Sequence, residues 1–372
     1  MRNTVIVGAG PAGSYLGWQL SKRGIQNTIV EEHEEIGRPE QCTGIISRNI
    51  EDPLPPPLLK KAVQNKVKGA VISCGKQQFE IRKSSFMAYI FDRQKLDRVI
   101  AEKAVKAGSD LLLGRRYVSH RAAGKSLKIR LAHGSETKHE HAGRLVGADG
   151  PHSIVARNAG LYGRRRFWTG TQVLLRTRKP FFDKDMAYLW LDRKYSDGFF
   201  AWVVPVDDHR AKAGLASFSK PAKYLERFLK DMFDDFVVEE KQGGIIPVYQ
   251  KIPLQTKDRK VSLVGDAALQ VKATSGGGVV NGLLAAEKLA GVIAEGGDYE
   301  RRLGGLRRSL WLHSIIRNKL NIMGDERKEK LLEELNSGSV KKVLKEKGDM
   351  DFPGRFLFRL LMARPGLLRY VL

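Results

Sequence analysis

Near the start of the chain, Gly8-Ala9-Gly10-Pro11-Ala12-Gly13 forms a G-x-G-x-x-G run, and its flanks decide what that run can do. The β-branched stretch Thr4-Val5-Ile6-Val7 reads as a strand, and a helical pattern carrying Tyr15, Leu16 and Leu20 continues from the glycines to Gly24. In that setting Gly8, Gly10, Ala12 and Gly13 permit a tight turn and a close approach of backbone to a pyrophosphate. The helix N-terminus then presents N–H groups and positive dipole to the phosphates. A second strand, Asn27-Thr28-Ile29-Val30, ends at Glu31 with Glu32 beside it, roughly 20 residues further on, where a carboxylate can hold ribose hydroxyls. The chemistry is dinucleotide binding, and this half-site does not by itself choose between NAD and FAD.

Two later segments make the choice. Val261-Ser262-Leu263-Val264 reads as a buried strand feeding Gly265-Asp266-Ala267-Ala268, and Leu145-Val146 runs into Gly147-Ala148-Asp149-Gly150. Here the chain resembles the large flavoprotein monooxygenase and geranylgeranyl reductase superfamily, whose Gly-Asp pair lies beside the ribityl chain and pyrophosphate of FAD. The resemblance implies FAD as cofactor, with Gly265, Asp266 and Asp149 in its site. Arg93, in Phe91-Asp92-Arg93, matches the arginine these proteins place near the flavin, with Asp97 one turn on.

Three more segments are similar to the geranylgeranyl reductase family, of the archaeal digeranylgeranylglycerophospholipid reductase type. Ile36-Gly37-Arg38-Pro39-Glu40-Gln41-Cys42-Thr43-Gly44 looks like the family's segment beside the flavin ring, which implies a place there for Cys42, Thr43 and Gly44. Lys272-Ala273-Thr274-Ser275-Gly276-Gly277-Gly278 looks like the loop that closes over the isoalloxazine. Phe200-Ala201-Trp202-Val203-Val204-Pro205 resembles the aromatic-x-Trp-x-Phe-Pro signature of a substrate-facing strand, with Val204 where Phe is usual. On that likeness Phe200, Trp202 and Pro205 face the substrate. Cys42 is the one candidate catalytic residue: it can pack against the flavin, donate a proton or act in redox regulation. Cys74 reads as a small inert hydrophobe.

The resemblance implies reduction of isolated C=C bonds in a geranylgeranyl chain, with a prenyl lipid and an external reductant such as NADPH, a deazaflavin or ferredoxin as partners. An isolated alkene has no carbonyl to accept charge, so hydride delivery to one carbon requires a proton at the other. The alternatives are a flavin monooxygenase of an apolar or aromatic substrate, a halogenase, and a flavin electron carrier without catalytic activity.

These segments need a scaffold that brings distant stretches together. The expected fold is α/β: a two-part Rossmann-like FAD-binding domain (1–165 and 257–300, with a small insertion near 53–90), an inserted antiparallel β-sheet substrate domain (166–256) with one solvated face, and C-terminal helices (301–372). Pro53-Leu54-Pro55-Pro56-Pro57 marks a surface connection. No apolar run reaches the length of a membrane span, no secretion signal precedes the first strand, and two cysteines are too few for a disulfide framework or cysteine-rich metal site. A cytoplasmic protein that binds no metal is expected. With 65 Lys and Arg against 41 Asp and Glu the net charge is +24, which attracts anionic membranes and nucleic acid alike. Nucleic acid ranks lowest, since no zinc-finger, helix-turn-helix or RNA-binding signature accompanies the charge. The basic C-terminal region, including Arg355, Arg359, Arg364 and Arg369, is the expected point of peripheral membrane contact.

Overall fold

The computed structural model describes residues 3–180 and 182–371. At its centre is a five-stranded parallel sheet in the order Val261–Leu263, Arg144–Gly147, Thr4–Val7, Asn27–Val30, Asp110–Leu112. Every residue of Thr4–Val7 and Asn27–Val30 is buried. Layers cover both faces, which is why these strands read as unbroken runs without alternation. The helices Pro11–Ser21, Arg93–Lys106 and Val279–Glu295 pack together, while the three-stranded meander Arg116–Ala123, Ser126–His133, Glu136–Ala142 contributes Tyr117, Leu127, Ile129 and Leu131 to the same core. Val261–Leu263 joins this sheet more than a hundred residues after its neighbour Arg144–Gly147. The strands on either side of the long insertion therefore share one sheet, interrupted in sequence and continuous in space.

A seven-stranded sheet forms the second body, in the order Phe236–Pro247, Phe167–Thr177, Arg210–Ser217, Ala201–Pro205, Met186–Trp190, Gly69–Cys74, Gln77–Arg82. All pairings are antiparallel except Met186–Trp190 with Gly69–Cys74. Two of its strands thus come from the segment near 53–90, far ahead of 166–256. The expected solvated face holds at the edge strands, where Gln78, Glu80 and Arg82 are exposed at alternate positions, but over the central strands it is covered. The amphipathic helix Pro221–Met232 lies on it, and Phe228, Tyr195 and Phe233 pack there against Ala201, Val203, Ala211, Ala213 and Leu215. Small and apolar residues at alternate positions left a face that only another apolar element could cover.

The chain ends in helices Gly304–Ile322, Asp325–Leu335, Gly338–Lys347 and Leu357–Ala363. Asp325–Leu335 covers the Gly69–Cys74 and Gln77–Arg82 hairpin, where Leu332 packs on Phe79 and Ile81. Cys74 sits fully buried there, its thiol pushed up to about 12 by burial, which suits an inert core residue.

Candidate functional site

The glycine run divides by job. Gly8 has φ +104°, and a Cβ on it would lie 2.4 Å from the Ala148 carbonyl oxygen. A Cβ on Gly13 would lie 2.0 Å from the Gly8 carbonyl oxygen. Both glycines therefore serve packing. A Cβ on Gly10 would meet nothing within 4 Å, so the space beside it is open for a ligand. The Pro11–Ser21 helix has Gly10 at its N-cap, no side-chain cap and no acid in its first turn. Val279–Glu295 likewise begins at Gly278 with neither cap nor acid. Ala12 is small because Gly265 and Gly282 press on it: a Cβ at those glycines would lie 2.9 and 3.3 Å from the Ala12 Cβ. Two uncapped helix starts thus converge on one cleft, an arrangement suited to a pyrophosphate.

Carboxylates around the cleft differ in what they touch. Glu31 accepts the Ala9 N–H at 2.8 Å and the His33 N–H at 3.0 Å, so it also fixes the glycine turn. Glu32 is exposed. Asp149 accepts from the Ser153 hydroxyl at 2.6 Å and the Val155 N–H at 3.0 Å, and so caps the short helix Ile154–Asn158 beneath the glycine turn. Its carboxyl is raised by burial, against the pull of these donors. Asp266 is the opposite case. Among the described residues its carboxylate accepts no hydrogen bond, and burial pushes its carboxyl up to about 6 despite the opposing pull of Arg93. A desolvated acceptor without a protein donor, beside the open space at Gly10 and two free helix starts, fits the hydroxyls and phosphates of FAD.

Arg93 begins the helix Arg93–Lys106 behind its N-cap Asp92, and its guanidinium holds Asp97 at 3.1 Å. Burial disfavours the Arg93 charge, but Asp97 and the Cys42 sulfur more than offset it and hold the group protonated. Cys42 is half-buried, and its sulfur accepts from the Gly44 N–H at 3.4 Å. Thr43 donates its hydroxyl to Gln172 Oε1 at 2.8 Å, and the same oxygen accepts from the Trp202 indole at 3.2 Å. One amide therefore joins the Cys42 segment to the seven-stranded sheet. Beside it Lys212, buried, pairs with Glu40 and reaches the Cys42 carbonyl at 3.4 Å.

The remaining sheet surface is apolar. Phe200 stacks on Phe199 at 4.2 Å and meets Trp202 edge-on at 6.0 Å, with Trp168, Val204, Ala216 and Ala273 completing the cluster. Pro205 is not brought to this cluster. Side chains alternate along a strand, so Pro205 falls on the opposite face from Phe200 and Trp202, and its carbonyl accepts from Asn65 at 3.0 Å.

The loop 272–278 bridges cofactor cleft and aromatic cluster. A Cβ at Gly278 would lie 2.8 Å from Asp266 Oδ1, and one at Gly276 would lie 3.3 Å from the Phe199 ring. A Cβ at Gly277 would press on Lys272 at 3.0 Å. Residues that sequence reasoning missed fasten this loop. Lys272, buried, pairs with Asp351, which also accepts from the Ser47 hydroxyl and from Asn49 at 2.8 Å. Burial works against the Asp351 charge, yet Lys272, Ser47 and Asn49 hold its carboxyl below the usual range. Arg317, on Gly304–Ile322, donates to the carbonyls of Thr274 at 2.7 Å and Ala273 at 3.0 Å. His313 meets the Thr274 hydroxyl at 2.6 Å and the Asp351 carbonyl at 3.0 Å. A carbonyl only accepts, so Nε2 carries the proton and Nδ1 accepts from Thr274. No local motif marks Asp351, Arg317 or His313, and the signal available for them was the acidic pair Asp349 and Asp351 within a basic region.

Comparison with known proteins agrees with this geometry. A protein of Methanocaldococcus jannaschii without an assigned activity is 31% identical over 378 residues, covering 97% of this chain and 95% of its own. A digeranylgeranylglycerophospholipid reductase of Methanothrix thermoacetophila is 27% identical over 368 residues, covering 92% and 93% respectively. A solved geranylgeranyl bacteriochlorophyll reductase-like protein from Thermoplasma acidophilum shares the fold with a TM-score of 0.85 over 99% of this chain and 98% of that one, at 21% identity. The family model described as FAD binding domain matches residues 1–299, the stretch that holds the glycine turn, Arg93, Asp149, Asp266 and the 272–278 loop. With those residues gathered on one cleft, the chain belongs to the FAD-binding domain family and its cofactor is FAD.

Proposed function

We propose that this protein is an FAD-dependent oxidoreductase that saturates isolated C=C bonds of geranylgeranyl chains carried on membrane lipid precursors. The observation that carries the reading is the aromatic and aliphatic cluster of Phe199, Phe200, Trp202 and Trp168 lying directly against Gly276 of the loop that also touches Asp266. A polar aromatic substrate would need hydrogen-bonding partners there. This surface offers mainly carbon, which suits a prenyl chain. The whole-length relative named as a digeranylgeranylglycerophospholipid reductase supports the same substrate class.

FAD, when bound, supplies the two-electron reduction. The chain's own residues do the rest. Gly10 and the two helix starts receive the phosphates, Asp266 accepts from hydroxyls, and the apolar cluster excludes water from the alkene. The proton for the second alkene carbon comes from the Cys42 side, where the Cys42 thiol, Thr43 and the buried Lys212–Glu40 pair are the proton-holding groups. Electrons come from an external donor of the NADPH, deazaflavin or ferredoxin class. A monooxygenase of the same fold is the competing activity, and oxygen separates the two. The purified protein, reduced chemically under nitrogen, is mixed with a geranylgeranyl lipid and the product is read by mass spectrometry. Gain of one H2 per bond without oxygen supports the reductase, whereas a product that gains oxygen atoms and requires air overturns it. Cys42→Ala is expected to keep FAD and to slow the reduction.

The same reading brings the protein to a membrane surface. Among the described residues no helix is long and apolar enough to cross a membrane. Phe358 and Met362, on Leu357–Ala363, are 74% and 67% exposed next to Arg355 and Arg359, which suits shallow contact with an anionic leaflet.

A further inference from the structure

The helix Val279–Glu295 buries one polar side chain that the protein itself leaves unserved. Asn281 is 1% exposed, and among the described residues neither its Nδ2 nor its Oδ1 has a hydrogen-bond partner. Burying an amide in that state is costly, and buried polar groups are almost always paired. Other buried polar side chains of the adjoining segment follow that rule. Gln270 accepts the Gly265 N–H at 2.7 Å and donates to the Tyr299 hydroxyl at 3.3 Å, and Lys272 pairs with Asp351. Asn281 departs from it, and so does the desolvated carboxylate of Asp266.

Helix geometry puts these two groups on one side. Gly278, the N-cap, faces Asp266, since a Cβ there would lie 2.8 Å from Asp266 Oδ1. Asn281 comes three residues later and shares the Gly278 face, and helical side chains lean toward the N-terminus. Its amide therefore lies beside the helix start, where a glutamate or glutamine at the same position would reach back as a cap. Asn281 caps nothing. The helix start has no side-chain cap, and the Gly278 carbonyl receives the Gly282 N–H at 2.8 Å, so the N–H groups before Gly282 are free of the helix's own ladder. Gly282, on the adjoining face, turns to Ala12 of the glycine turn. An unpaired amide, an unpaired carboxylate and free N–H groups thus gather at the helix start that faces the cofactor cleft.

Their unmet hydrogen bonds identify the group they hold. Asn281 lacks both a donor for its oxygen and an acceptor for its nitrogen, and Asp266 lacks donors. Phosphate oxygens accept, and would leave Asn281 Oδ1 and Asp266 unserved. A hydroxyl both gives and accepts. Within FAD the ribityl chain is a run of hydroxyls, whereas the ribose has Glu31, beside Ala9. We infer that Asn281 is a ligand of the FAD ribityl chain, its Oδ1 accepting from one hydroxyl and its Nδ2 donating to another that in turn donates to Asp266. No property of the substrate enters, so a failure to reduce alkenes leaves this contact standing.

The test uses Asn281→Leu, close to asparagine in size, and Asn281→Ser, which keeps a hydroxyl. FAD is removed, and rebinding is followed by quenching of flavin fluorescence at about pH 8, where Asp266 is ionised, with thermal melts of each apoprotein alongside. Replacing an unpaired buried amide by an apolar group of similar shape is neutral or stabilising. The Asn281→Leu apoprotein should therefore melt at or above the wild-type temperature, while its Kd for FAD rises at least about tenfold, the worth of one or two neutral hydrogen bonds. Asn281→Ser should fall between wild type and Asn281→Leu in FAD affinity. Wild-type FAD affinity in Asn281→Leu overturns the inference. A lower melting temperature of that apoprotein overturns it as well, because the amide then has a partner inside the protein. FAD analogues lacking single ribityl hydroxyls locate the contact: wild type should lose affinity for at least one, and with that analogue Asn281→Leu should cost little more. If the leucine penalty is the same with FAD and with every analogue, the ribityl assignment fails.

Discussion

Gly8, Gly10 and Gly13 share one motif and have different structural duties. Gly13→Ala pushes a methyl into the Gly8 carbonyl, 2.0 Å away, and should destabilise the protein with or without cofactor. Gly10→Val points into open space and has an ordinary backbone angle, φ −64°. It should fold with the melting temperature of wild-type apoprotein and yet purify without FAD. Equal FAD content in Gly10→Val and wild type would remove Gly10 from the cofactor site. The glycine turn and Glu31 could be picked out from the strand and helix that flank them, whereas Asp266 was picked out only by resemblance to a known family. The sequence could not show that Asp149 spends its carboxylate on Ser153 and Val155, since this depends on how tightly the following turn closes.

His313 gives a pH prediction at the same scale. Burial, the largest influence, pushes its pKa down to about 4, so the folded protein keeps it neutral while the unfolded chain takes up a proton near the ordinary value of about 6.5. Between those values the unfolded state holds more protons, so stability is full above about 6.5 and declines as pH falls toward 4, by on the order of 1 kcal/mol per pH unit. Thermal melts of wild type should show this slope. His313→Asn, which has nothing to titrate there, should show a shallower one over the same range.

At the scale of elements, the 272–278 loop is held by partners from every part of the chain. Asp351→Asn leaves Lys272 buried without its counter-charge and should cost about 3–5 kcal/mol, whereas Lys272→Met combined with Asp351→Leu should recover most of that loss. Chemical denaturation of the three variants measures this. Recovery of stability without recovery of normal flavin fluorescence in the double variant would show that the pair orients the loop as well as stabilising it. Identical stability of Asp351→Asn and wild type would show that the pair contributes nothing. Strands and helices of the cofactor half were readable from period and flanking glycines. The helix Pro221–Met232 was not, because Tyr224, Phe228 and Met232 fall among residues already read as strand alternation. The segment near 53–90 was expected only as a small insertion, with no partner for its strands, since pairing of Gly69–Cys74 with Met186–Trp190 across so long a separation leaves no local trace.

Across the whole molecule, the charge of +24 is only partly free. Arg302, Arg307, Arg355, Arg364 and Arg369 are engaged by Glu295, Glu300, Asp349 and Glu334. Removing the end of the chain to test membrane contact would also remove Leu360, Leu367 and Tyr370 from a packed cluster. Phe358→Ser with Met362→Ser avoids that, because both side chains are exposed. Wild type should sediment with anionic vesicles at low salt and release as the Debye length shrinks to about 3 Å near molar salt, and the double variant should bind more weakly at every salt concentration. Indifference of wild type to anionic vesicles at low salt would end the membrane proposal.

The seven-stranded sheet is entered twice by the chain, at Gly69–Arg82 and again from Phe167 to Pro247, and the Asp325–Leu335 helix lies across its far end. A body tethered by one pair of linkers can swing on them. This one is laced to its neighbour at several separate places, so opening and closing as a clamshell would strain several connections at once. Traffic of a long flexible molecule is therefore expected to resemble threading through a fixed aperture, with local adjustments of side chains and terminal helices setting its pace.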